Sequence, residues 1–126
     1  MKFRTLMVLK ALVCLVFGVL FLAVPAQAMS LFGVTLDAGG VFALRLYGAA
    51  LAGNLLLSWL ARGARPSEAL RAIVLALFVY DAIGFVVALV AVLTGVMNAM
   101  GLLAVLIYLL LALGFGYFQF MKPITD

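Results

Sequence analysis

The chain has 126 residues, 70% of them hydrophobic, with eight basic and four acidic side chains and a net charge of +4. A soluble domain of this length leaves much of its area in water and cannot hide so apolar a composition, which makes lipid the expected solvent. The basic residues cluster at the ends of apolar runs rather than in one patch, which excludes a nucleic-acid partner in favour of membrane lipids.

Crossing a hydrocarbon core takes about 20 mostly apolar residues. Four runs qualify, at about 3–24, 41–61, 71–94 and 100–120. The expected fold is an all-α membrane protein, an antiparallel four-helix transmembrane bundle forming a single domain over 1–126.

The first run opens near Lys2, Arg4 and Lys10 and closes at Pro25, followed by Ala26-Gln27-Ala28. Residues 1–28 thus carry the basic start, apolar core and small-residue site of a secretion signal. The run is also long enough to span, and removing it would strand one helix without a hairpin partner. Retention is the expectation, with cleavage as the alternative. Cys14, a lone thiol in this run, reads as an inert packed side chain.

The 25–40 link is long, and Leu31-Phe32-Gly33-Val34 is too apolar for a free loop, so it is expected to lie along the membrane surface. Asp37 and Gly39-Gly40 turn the chain into the second helix. The 62–70 link holds Arg62 and Arg65, with Arg71 just beyond it; Pro66 suits a first helical turn, and Glu68 suits the positive end of a helix dipole. The tight 95–101 link holds Gly95, Asn98 and Gly101, with Asn98 shaping the turn.

Links 25–40 and 95–99 carry no Lys or Arg, whereas Lys2, Arg4, Arg62, Arg65, Arg71 and Lys122 fall on the opposite side. By the positive-inside rule the N- and C-termini and the 62–70 link are cytoplasmic, in a bacterial inner membrane. Trp59 near Arg62 and Tyr117 near Lys122 suit the inner headgroup level. Leu31-x-Gly33-Val34 recurs as Leu93-x-Gly95-Val96 at an offset of 62, which reads either as a trace of two parallel hairpins or as chance.

No histidine, paired cysteine, phosphate loop or zinc motif is present. This removes the commonest general base and metal ligand, so the chain is expected not to be an enzyme and to need no metal or cofactor. Two charges fall inside spans, Arg45 and Asp81. Each costs about 2.5–3.5 kcal/mol at a helix centre unless it finds a partner, water or the interface. Arg45 shares a helix face with Gly48, Ala49 and Ala52, and Asp81 shares one with Gly84 and Ala88. Small residues let backbones approach, so these faces are expected to meet. Level matching puts Arg45 about 9 Å above Asp81 at 1.5 Å per residue. Two outcomes stay open: an Arg45–Asp81 pair, or Arg45 snorkelling outward.

Tyr47, Asn54 and Ser58 form a polar stripe on the second helix, pointing away from Arg45. Such a stripe is interhelical glue or one wall of a polar pocket. Tyr80 and Tyr108 fall near mid-membrane, where each phenol seeks a partner; Asp81 and Asn54 are the candidates.

Arg45-Leu46-Tyr47-Gly48, the short basic link, Phe78-Val79-Tyr80-Asp81 and the 109–117 stretch together resemble small four-span bacterial inner-membrane proteins of the DoxX-like kind. The resemblance implies a tight bundle with Arg45 as a polar anchor. Some relatives are tied to quinone-linked sulfur oxidation or membrane redox complexes. The expected function is an accessory or structural membrane subunit that contacts a partner protein or a second copy of the chain. The alternative is a binder or carrier of a small lipophilic molecule (quinone, isoprenoid or lipid) near Arg45, Asp81 and Tyr80. A small transporter using Asp81 is a third, weaker reading.

Overall fold

The computed structural model describes residues 2–121. Its elements are α1 (Phe3–Ala23), α2 (Pro25–Ser30), α3 (Ala38–Ala61), α4 (Glu68–Leu93), α5 (Gly101–Gly116) and a closing π-helical turn, Tyr117–Met121. Four helices are long and apolar enough to cross a membrane, the last running from Gly101 through Met121. They pack as one antiparallel bundle, and the protein is a multi-pass membrane protein.

Local chemistry sets the helix ends. Asp37 caps α3, its Oδ1 accepting from the Gly40 amide at 2.7 Å. Ser67 caps α4 by accepting from the Leu70 amide at 3.0 Å, with Glu68 in the first turn. Pro66 therefore lies just before the cap rather than inside the helix. Pro25 starts α2 at the position where its missing N–H is harmless.

The bundle is built from two close pairs. In the first, α1 lies on α3. Gly18 faces Leu51, the Gly48 carbonyl and the Ala52 amide, and a Cβ on Gly48 would come within 2.9 Å of the Leu22 side chain. In the second, α5 lies on α4. A Cβ on Gly84 would collide with the Tyr108 ring, and Gly116 takes the Phe78 ring. The small faces of α3 and α4 do not meet each other, because each is already filled by its hairpin neighbour. This corrects the expectation that Gly48 and Ala52 would face Gly84 and Ala88. Ala49 is exposed.

Arg4 lies beside Gly63, so the start of α1 and the α3–α4 link share one end of the bundle with Lys2, Arg62, Arg65 and Arg71. Arg62 stacks over the Trp59 ring at 3.8 Å, as an interfacial anchor does. Lys122, the expected neighbour of Tyr117, lies outside the described residues. Near this basic end the interior is solid, filled by Leu6, Met7, Leu70, Val74, Leu77, Leu111, Phe115 and Phe118.

The far end is closed by the two remaining links. Asn98 joins them: its amide donates to the Phe32 carbonyl at 2.8 Å, and its Nδ2 donates to the Leu31 carbonyl at 3.2 Å. Its Oδ1 accepts from the Met100 amide at 2.9 Å. The turn role foreseen for Asn98 is therefore combined with a tie between loops. Leu31 is exposed, but Phe32 is buried and Val34 is half-buried. Phe32 and Val34 thus pack inward over the helix ends while Leu31 faces out.

Candidate functional site

Between the close-packed basic end and the tied links, the two helix pairs stand apart around a cavity of about 320 Å³. Its walls are overwhelmingly apolar. Phe17 and Phe21 come from α1, Leu44 and Leu51 from α3, Ala88 and Ala91 from α4, and Ala104 and Ile107 from α5. Met29, Phe32, Val96 and Met97 line it from the far end. The polar groups that border it are Lys10, Asp81, Tyr47, Tyr80 and Tyr108.

Asp81 is fully buried, and Lys10 Nζ donates to its Oδ1 at 2.7 Å. Lys10 is itself 2% exposed. Its Nζ also lies 4.4 Å from the centre of the Tyr80 ring, a favourable place for a cation. In hydrocarbon each charge alone is costly, and the pair removes most of that cost by neutralising both at one place. The partner of Asp81 is thus Lys10, not Arg45. Arg45 is exposed on α3 and forms no ion pair with the carboxylate. The second carboxylate oxygen, Oδ2, is buried and has no hydrogen-bond partner.

The three mid-span tyrosines form one cluster. Tyr47 Oη bonds Tyr80 Oη at 2.6 Å and also bonds Tyr108 Oη. Tyr80 and Tyr108 therefore find each other through Tyr47, rather than through Asp81 or Asn54. The Phe21 ring supports Tyr47 at a centroid distance of 5.7 Å. Gly84 makes room for Tyr108, because any side chain there would occupy the ring's position. The same tyrosines, with Ile83, Gly84 and Val87, border a second recess of about 370 Å³. Ile83 and Val87 are exposed on α4, so this recess opens toward lipid beside α3.

The α3 stripe divides. Tyr47 joins the cavity, whereas half-buried Asn54 and fully buried Ser58 do not border it. Ser58 Oγ has no hydrogen-bond partner. Ala88 lines the cavity, and Gly48 and Ala52 serve the α1–α3 contact.

In the sequence Lys10 reads as one more flanking charge. The signal that places it inside was periodicity: Met7, Lys10, Cys14, Gly18 and Phe21 recur at three- and four-residue steps, and all are buried. A lysine on that stripe faces the bundle, not the headgroups. Among the described residues no group of three or more His, Cys, Asp or Glu stands close enough to hold a metal ion. The chain matches no family model, no curated protein and no solved structure.

Proposed function

We propose that this protein holds a small lipophilic molecule within its bundle, the polar head of the ligand against Lys10, Asp81 and the tyrosine cluster and its apolar body toward the linked far end. One observation carries the reading: an apolar cavity of about 320 Å³ that ends on a buried ion pair with one unpartnered carboxylate oxygen. Binding sites for small molecules have this composition, an apolar lining with a few convergent polar groups. The recess beside Tyr47, Tyr80 and Tyr108 offers access from the lipid.

The function so read is binding, with no catalytic step and no metal or cofactor. The charge distribution supports a bacterial inner membrane with both termini cytoplasmic, which sets the basic end inside and the cavity in the outer half. The DoxX-like resemblance fits a compact bundle of this kind.

Native mass spectrometry of the protein purified from its own membrane tests the reading. The expected result is a retained molecule of one fixed mass. Ala88→Phe, which places a ring in the cavity and leaves Lys10 and Asp81 untouched, abolishes that retention while the protein remains folded. Retention of the same mass by Ala88→Phe sinks the assignment of the ligand to this cavity.

A further inference from the structure

Three phenol protons serve two hydrogen bonds in the Tyr47, Tyr80 and Tyr108 cluster, which leaves one proton to offer. Lys10 carries three protons, one of which is given to Asp81 Oδ1. Donors are therefore in surplus at the polar end of the cavity. The group left wanting is an acceptor: Asp81 Oδ2 is buried and bonded to nothing, on a residue that is 0% exposed and borders the cavity. A buried acceptor without a donor costs far more than an ordinary hydrogen bond gains. Lys10 and Asp81 already cancel in charge, so a charged head would bring an uncompensated ion into an apolar space.

We infer that the cavity takes a lipophile with a neutral, hydrogen-bond-donating head, a hydroxyl, in preference to ether, ester, carboxylate or amine heads. The hydroxyl displaces the side chains that cover Asp81, which is 0% exposed, and donates to its Oδ2. Its own oxygen accepts one of the surplus protons. An ether offers only an acceptor and leaves Oδ2 unpaired. A carboxylate opposes Asp81, and an ammonium adds a charge beside Lys10. This inference rests on the reading that the cavity binds a ligand at all.

Four probes of one chain length separate the heads: dodecanol, its methyl ether, dodecanoate and dodecylamine. Each is added to the purified protein in detergent, and both retention by native mass spectrometry and the shift in thermal unfolding are measured. Dodecanol is expected to bind at least about tenfold more tightly than each of the others, the size of effect an unpaired buried acceptor produces. Asp81→Asn, whose amide supplies its own N–H, should erase the preference for alcohol over ether. Should that variant fail to fold, the four heads on the unaltered protein still decide. Equal binding of ether and alcohol overturns the inference and leaves the binding function standing. If no probe is retained, the head of the co-purifying molecule decides: a neutral hydroxyl supports the inference and any other head overturns it. A protein that retains no probe and carries no molecule of fixed mass, its cavity holding water alone, overturns both.

Discussion

Lys10 and Asp81 are each intelligible only through the other. Either charge alone in the bundle would be stranded, whereas together they form the one ion pair among the described residues. Lys10→Met should therefore lower stability by about 3 kcal/mol or more, the effect of leaving a buried charge unpaired. Lys10→Met with Asp81→Leu should recover most of that loss, since apolar side chains replace a buried pair at little cost. Thermal unfolding in detergent measures both. Arg45 supplies the contrast. It is exposed and forms no ion pair with Asp81, so Arg45→Leu should leave stability within about 0.5 kcal/mol. A large loss on Arg45→Leu would mean that the arginine has a structural role its exposed position does not account for.

Single small residues decide how the elements meet. Gly84 is the floor on which the Tyr108 ring rests, and even a methyl group there would displace the ring. Gly84→Ala should cost about 1–3 kcal/mol through overpacking and should disturb the tyrosine cluster, seen as a changed ultraviolet tyrosine spectrum. Asn98 ties the two far links, so Asn98→Ala should cost about 1 kcal/mol per hydrogen bond lost and speed amide exchange over residues 31–34. These links also bear on the repeated Leu-x-Gly-Val stretch. Gly33 and Gly95 hold corresponding places and have φ of 76° and 80°, the only glycines with positive φ among the described residues. Both follow a helix end, where a left-handed residue lets the chain reverse. The shared backbone requirement gives the two matching glycines a physical reason, whichever origin the repeat has.

At the scale of the whole molecule, two antiparallel pairs, α1 with α3 and α4 with α5, share a solid core near the basic end and part around a cavity near the other. The proposed orientation is open to a direct check. Cys14 is buried and should not react with a membrane-impermeant thiol reagent. Thr94→Cys, on an exposed site at the far end, should be labelled from outside intact cells. Ser67→Cys, at the basic end, should be labelled only after the membrane is opened. The reverse pattern would invert the bundle.

The spans were legible in the chain because hydropathy over about 20 residues is a property of composition, and lipid imposes it without reference to neighbours. The start of α3 at Asp37 and the turn at Gly95 and Asn98 were legible for a similar reason: their chemistry is local, although Gly39 and Gly40, read as part of the turn, lie within α3. Pairing was not. Counting levels along the helices nominated Arg45 for Asp81, but which faces meet depends on how Gly18, Gly48 and Gly84 are filled by their neighbours. The buried stripe of α1 already turns Lys10 inward; only the tertiary structure set it against Asp81, gathered three tyrosines from three helices and left space above them. Those are relations between surfaces far apart in the chain, and no periodicity within one helix encodes the distance to another.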